Sequence, residues 1–252
     1  MLSGKKGLVV GIANDHSIAA GCARAFREAG AELAITYLNA KAEPYVAPVA
    51  QSVGAEIFLP LDVEAEGQME SVFDTVERQW GKLDFLLHSI AFCPMEDLHG
   101  RVVDCSSAGF ARAMDVSVHS FIRMARLAEP LMAAGGSMLT VSYYGAEKVV
   151  DRYNVMGPVK AALEATTRYL AAELGPGGIR VNALSPGPIE TRAASGIDHF
   201  DRLIDDAKSR APERQLVTIQ EVGDMAAFLV SDFARSITGD VSYIDAGFHI
   251  MS

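Results

Sequence analysis

The chain has 252 residues, half of them hydrophobic and 21% charged, a balance that supports a buried core and excludes a wholly disordered polymer. Its formal net charge of −10 argues against a nucleic-acid partner, whose phosphates would meet a repelling surface, but leaves room for a small phosphorylated ligand at a helix N-terminus. No apolar run is long enough for a membrane span and no signal-peptide pattern precedes Leu8-Val-Val-Gly-Ile12, so the expectation is a cytoplasmic protein with no membrane partner.

Leucine-rich or β-branched runs recur at 8–12, 33–37, 56–61, 83–90, 137–143, 179–185 and 241–245, most of them separated by stretches with helical spacing. This alternation predicts an α/β fold, a doubly wound parallel sheet with helices on both faces. No repeat, low-complexity segment or linker-like tract divides the chain, and residues 1–252 are read as a single domain.

After the first strand comes Gly11-Ile-Ala-Asn-Asp-His-Ser17-Ile18-Ala19, where a doubly wound fold presents amide groups to a pyrophosphate. The dinucleotide fingerprint G-x-G-x-x-G is absent, since the next glycine after Gly11 is Gly21; the reading rests on the turn, on Ser17 as N-cap or phosphate donor, and on small Ala19 and Gly21. Ile18, Cys22 and Phe26 then recur four apart and Gly30 ends that helix. Tyr37-Leu38-Asn39 falls where such a fold meets the adenosine ribose, and no arginine stands there to neutralise a 2′-phosphate, which favours NADH, with NADPH as the alternative. Asp62 has two readings, acceptor for the adenine amino group or loop carboxylate.

Met69, Val72, Phe73, Val76 and Trp80 mark one helix face, closed by Gly81. His88, at a strand end, is read as structural. Cys22, Cys93 and Cys105 lack metal-ligand spacing, no metal is expected, and Cys93 is read as a buried, inert thiol. Ser142-Tyr143 follows a strand, and Tyr153 and Lys160 lie seven apart, which on a helix puts both on one face; Pro158 between them predicts a late start or a bend. A tyrosine hydroxyl beside an ammonium suits an oxygen gaining negative charge. Thr218-Ile-Gln-Glu221 has capping-box spacing and opens a helix running to about Val230.

The ordered set Gly11…Ser17-Ile18-Ala19, His88-Ser89-Ile90-Ala91-Phe92, Ser142-Tyr143-Tyr144-Gly145-Ala146-Glu147, Tyr153-x₆-Lys160 and Arg180-Val-Asn-Ala-Leu-Ser-Pro-Gly-Pro188 resembles the bacterial NADH-dependent enoyl-acyl-carrier-protein reductases. These are a divergent branch of the short-chain dehydrogenase superfamily, whose ordinary members carry T-G-x₃-G-x-G, N-A-G and Y-x₃-K instead. The resemblance spans essentially the whole chain.

It implies a seven-stranded Rossmann-type sheet of order 3-2-1-4-5-6-7, a homotetramer, and reduction of the trans-2 double bond of an enoyl thioester on acyl-carrier protein or a related carrier. By the same resemblance Tyr153 hydrogen-bonds the enolate-like oxygen, Lys160 holds the nicotinamide ribose, and Tyr143 lines the acyl pocket. Cys93 lies near the thioester position. Ser89 and Ile90 fall near the ribose and adenine side of the dinucleotide and Asp62-Val63 at the adenine. Ile189, Thr191 and Ala193 are implied to bind the cofactor, in a cofactor and substrate loop that belongs to a substrate-binding loop and helix at about 186–212.

Two features depart from the family pattern. Glu190 and Arg192 stand where a basic and an apolar residue are usual, and Asp198 and Asp201 replace basic residues that face the acidic carrier, leaving Arg202. Like charges weaken docking, so a specialised paralogue acting on another enoyl thioester is one reading and a tolerated surface change the other. A carbonyl-reducing short-chain dehydrogenase and a non-catalytic dinucleotide sensor also stay open; the x₆ spacing and Tyr143 argue against the first, the joint presence of Tyr153 and Lys160 against the second.

Overall fold

The apolar runs become parallel strands: β1 (Lys6–Val10), β2 (Glu32–Tyr37), β3 (Ile57–Pro60), β4 (Phe85–His88), β5 (Gly136–Val141), β6 (Ile179–Pro186) and β7 (Val241–Ile244). A computed structural model of the chain describes residues 1–189 and 200–251. Between the strands lie α1 (Ile18–Glu28), α2 (Glu43–Ser52), α3 (Gln68–Trp80), α4 (Met95–Leu98), α5 (Ser107–Met114), α6 (Ser120–Ala128), α7 (Met156–Leu174), α8 (Phe200–Arg210) and α9 (Ile219–Val230). The sheet has the expected order β3-β2-β1-β4-β5-β6-β7, and its neighbours pair in parallel.

Side chains of a strand alternate between faces, so one strand feeds two cores. Leu8 and Val10 of β1, Leu86 of β4 and Met138 of β5 join α3, α6 and α7 on one side. Val9, Phe85, Leu87 and Leu139 join α1, α2 and α9 on the other. β4 is buried along its whole length, as a strand covered on both faces must be.

The stop of α3 and the start of α9 lie where the sequence places them. Met69, Val72, Phe73 and Val76 are the buried face of α3, and Gly81 ends it in a left-handed conformation at φ 65°. Thr218 and Glu221 form the reciprocal capping box of α9: the Thr218 amide donates to Glu221 Oε2 at 2.7 Å and the Glu221 amide to Thr218 Oγ1 at 3.2 Å. α9 lies against α1 backbone to backbone. A Cβ on Gly21 would collide with the Ile219 carbonyl, and one on Gly223 would come within 2.6 Å of the Gly21 carbonyl oxygen.

His88, fully buried at the end of β4, is structural in the expected sense. Its Nε2 lies 2.8 Å from Ser120 Oγ and its Nδ1 2.9 Å from Thr140 Oγ1. Because the Ser120 hydroxyl donates to the Val116 carbonyl at 2.7 Å, it has to accept from Nε2–H, and Nδ1 accepts from Thr140. That neutral tautomer satisfies both nitrogens and ties β4, β5 and α6 together. Burial, and next the charge of Lys160, push the imidazole down to about 3 from an ordinary 6.5.

Two outcomes follow from these contacts. Gly21→Val should lower stability by about 2–4 kcal/mol through forced separation of α1 and α9, read as a drop in the urea midpoint. His88 binds a proton in the unfolded chain but not in the folded one, so its contribution is complete above pH 6.5 and is lost as pH falls toward 3. The urea midpoint of the wild type should therefore decline below pH 6.5, with His88 adding up to about 1.4 kcal/mol per pH unit, and His88→Gln should flatten that decline.

Candidate active site

Parallel strands share one direction, so the segments leaving β1 through β6 emerge along a single edge of the sheet, and the order reverses between β1 and β4. A crevice opens at such a switch point. Gly11 leaves β1 there at φ 102°, pressed so close to the segment after β4 that any Cβ would collide with the Ser89 carbonyl oxygen. The Ser89 amide donates to the Val10 carbonyl at 2.9 Å, which ties the exits of β1 and β4 together.

The turn from Gly11 to α1 is organised by Asn14. The Asn14 side chain accepts from the His16 amide at 3.0 Å, and its carbonyl accepts from Ser17 Oγ at 2.7 Å. Ser17 is thus the N-cap of α1 by backbone geometry alone, and its hydroxyl makes no capping bond to the helix. No acidic residue stands in the first turn of α1, which leaves the positive end of the helix dipole facing the turn. Ile18 and Ile90 are half-buried, Leu38 is 52% exposed at the end of β2, and Val63 is buried in the core beyond β3. Asp62 uses Oδ1 to accept from the Glu64 amide at 3.0 Å, the loop-carboxylate geometry among its two readings.

Beyond β5 the chain brings the sequence-distant polar groups together. Tyr143 and Tyr153 meet edge to face, ring centroids 4.8 Å apart and planes at 64°. Gly145 permits this, since a Cβ there would sit 2.5 Å from Tyr153 Cδ1. Tyr153 lies ahead of α7, not within it, in a turn whose flanking residues Arg152 and Asn154 have φ of 62° and 46°. The Asn154 amide side chain donates to the Leu98 carbonyl at 2.8 Å and fixes the turn. The one-face argument for Tyr153 and Lys160 therefore does not apply: left-handed residues, not helical periodicity, aim Tyr153. Pro158 is the third residue of α7, a first-turn position whose amide has no intrahelical partner, and the helix starts late without a bend at that residue being required.

Lys160 is 5% exposed, and its ammonium donates to the Val141 carbonyl at 2.6 Å. Burial lowers its pKa to about 8, and Glu164, one helical turn on, works in the opposite direction. Glu164 is itself buried and accepts from Ser142 Oγ at 2.5 Å; burial raises its carboxyl above the usual range. Burial pushes Tyr143 up to about 12 and Tyr153 higher still, the latter also through Tyr143 and Glu164. At neutral pH both phenols keep their protons and can donate to an oxygen that gains charge.

The loop after β4 is held by Ser117, which lies in a π-helical turn between α5 and α6. The Ser117 hydroxyl accepts from the Phe92 amide at 3.0 Å and donates to its carbonyl at 3.2 Å. Cys93 follows, 8% exposed, its thiol pushed up to about 11 by burial and next by Asp97. Such a thiol is a poor nucleophile at neutral pH. A cavity of about 600 Å³ is walled by Tyr143, Tyr144, Val149, Pro188, Arg210 and Phe248 among others.

Gly11, Ser17, Ile18, Leu38, Asp62, Val63, Ser89, Ile90, Tyr143 and Ile189 all lie at or just beyond the carboxyl ends of β1 to β6. Thr191, Ala193, Glu190, Arg192 and Asp198, and the side chains of Asp201 and Arg202, lie outside the described residues. The sequence reading missed the buried Ser142–Glu164 pair and the spacing role of Gly145. The i, i+4 interval between Lys160 and Glu164 was a usable signal; nothing local marks Gly145.

A family model described as enoyl-(acyl carrier protein) reductase matches residues 11–249. The chain is 48% identical over 249 residues to enoyl-[acyl-carrier-protein] reductase [NADH] 1 of Rhizobium meliloti, covering 99% of this chain and 92% of that protein. It superposes on the crystal structure of the NADH enoyl-[acyl-carrier-protein] reductase of Aquifex aeolicus with a TM-score of 0.96 and 46% identity, covering 100% of this chain and 98% of the other. The reductase of Anaplasma phagocytophilum in complex with NAD gives a TM-score of 0.95 at 46% identity, covering 99% and 95%.

Proposed function

This chain belongs to the enoyl-acyl-carrier-protein reductase family, and from that premise we propose that Tyr153, Lys160 and Tyr143 are the groups that act on its substrate. The protein is an NADH-dependent oxidoreductase that reduces the double bond of an enoyl thioester in fatty acid synthesis. The observation that carries the residue assignment is the contact of two proton-bearing phenols next to the strand end that holds Lys160.

The residues fit a dinucleotide. Gly11 lets the turn after β1 approach the segment after β4 where a Cβ would meet the Ser89 carbonyl, α1 offers a dipole end free of acids, and Lys160 supplies a buried ammonium for ribose hydroxyls. We assign Gly11, Ser17 and Ile18 to the pyrophosphate end, Leu38, Asp62, Val63, Ser89 and Ile90 to the adenosine end, and Lys160, Ile189, Thr191 and Ala193 to the nicotinamide end. When bound, NADH supplies the hydride, which the β-carbon of the enoyl group takes up.

As the β-carbon becomes saturated, the alkene electron pair moves toward the thioester oxygen, which gains negative charge until the α-carbon takes a proton from water and the reduction is complete. Tyr153 donates a hydrogen bond to that oxygen, and Lys160 stabilises the charge from behind. Tyr143 packs against Tyr153 and lines the acyl side together with Cys93. The thioester enters from the side of the cavity bounded by Tyr143, Pro188 and α8, within the loop and helix at 186–212. The whole chain acts as one catalytic unit in the cytoplasm. Exposed Phe110, Ile122 and Tyr169 on α5, α6 and α7 support assembly with further copies, in a homotetramer.

Tyr153→Phe should lower kcat/KM for crotonyl thioester by about 10²-fold, the loss of one donor to a developing oxyanion, while NADH binding by fluorescence titration stays unchanged. Near-wild-type reduction would remove Tyr153 from this role, and reduction of ketones but not of the enoyl thioester would favour a carbonyl reductase. For one enoyl chain compared on acyl-carrier protein and on coenzyme A, kcat/KM should be higher on the carrier. Equal or inverted values would mark a specialised enzyme, as Asp198 and Asp201 suggest.

A further inference from the structure

We propose that Glu164 is a positioning residue for the reaction: locked by Ser142 at the end of β5, its carboxylate is the buried counter-charge of the Tyr153–Lys160 pair. The proposal rests on the assignment of Tyr153 and Lys160 above.

Two consecutive residues divide the work. The carbonyl of Val141 takes the Lys160 ammonium at 2.6 Å, and the hydroxyl of Ser142 donates to Glu164 Oε1 at 2.5 Å. Ser142 is held in turn, because its amide donates to the Leu184 carbonyl of β6 at 2.7 Å. Lys160 and Glu164 stand one turn apart on α7, and consecutive residues of the strand end hold them, without a direct ion pair between the two. Glu164 is 6% exposed. A carboxylate is costly to bury, and the bond from Ser142 does not require one, since the carbonyl oxygen of a glutamine would accept it equally. A glutamate here, where a glutamine would keep the same bond, is then the feature to be explained.

The groups around Glu164 show where that charge acts. The charges that act on it are those of Glu147, in the turn after β5, and of Arg168 and Lys160 on α7. Tyr153 ahead of α7 and Tyr243 on β7 are near enough to feel its charge, and Tyr243 feels that of Glu147 as well. His88 faces Lys160 from β4 and is neutral. Toward Lys160 the carboxylate favours the ammonium, and toward Tyr153 it favours the phenol. Those are the two proton-bearing states that an enolate oxygen needs beside it. One buried anion thus adds to the effect of burial at Tyr153 and opposes it at Lys160.

The test is Glu164→Gln, which keeps shape and the Ser142 bond while removing the charge. Lysine labelled with ¹³C at Cε, with Lys160→Met used for assignment, reports the Lys160 ionisation by NMR in the protein without substrate. In the wild type it should fall near 8, and in Glu164→Gln about one pH unit lower. In turnover of crotonyl thioester, kcat should drop about tenfold with the KM for NADH little changed, and the alkaline limb of the pH profile should move down by a similar unit. Glu164→Asp should recover part of both. If Glu164→Gln does not fold, Ser142→Ala should shift the same titration in the same direction by a smaller amount. A Lys160 titration unmoved in the folded variant, or a loss of stability with an unmoved pH profile, would leave Glu164 a packing residue and overturn the proposal. The NMR arm needs no substrate, so it decides on Glu164 even if the wild type gives no enoyl turnover, the separate result that would remove the assigned reaction.

Discussion

Strand polarity is the constraint on which the rest of this structure depends. Because the seven described strands all run the same way, each needs a crossover to return, and the crossovers cover both faces with helices. The same polarity delivers six successive strand exits to one edge. Gly11, Leu38, Asp62, Ser89, Tyr143 and Ile189 are far apart in sequence, yet they belong to that edge for no reason other than their position just after a strand.

Bringing polar groups to the edge of a dry sheet has a cost, and the structure meets it by pairing. His88 sits between a hydroxyl donor and a hydroxyl acceptor, Lys160 against a backbone carbonyl, and Glu164 against Ser142. Each partner comes from a different element, so none of these placements survives without the sheet around it. Burial then acts in one direction on each group: it makes His88 neutral, makes Lys160 easier to deprotonate, and keeps Tyr143 and Tyr153 protonated. The reactive character attributed to the tyrosines and the lysine is a property of this dry edge, and neither side chain has it in water.

Backbone shape does the remaining work. Gly11 makes a close approach to the segment after β4 possible, Gly21 and Gly223 let two helices touch, and Gly145 makes room for the Tyr153 ring. Arg152 and Asn154 hold left-handed conformations that residues with a Cβ rarely adopt, and the bond from Asn154 to Leu98 holds that turn in place. Such conformations concentrate where a side chain has to be aimed, and here they flank Tyr153.

The layered α/β architecture, the seven strands to within a few residues, the glycine stop of α3 and the capping box of α9 were legible in the amino-acid order, because apolar periodicity and helix-end chemistry are local. The strand order and the reductase family were legible only through the ordered motifs and their resemblance, since no single spacing implies either. Tertiary structure alone decided that Tyr153 stands outside α7, that the Ser17 hydroxyl turns back to Asn14 instead of capping its helix, and that Glu164 is buried beside Lys160. The reason is common to all three. A seven-residue interval looks the same whether a helix or a strained turn spans it, and whether a glutamate is solvated or enclosed depends on β5 and β7 arriving from elsewhere in the chain.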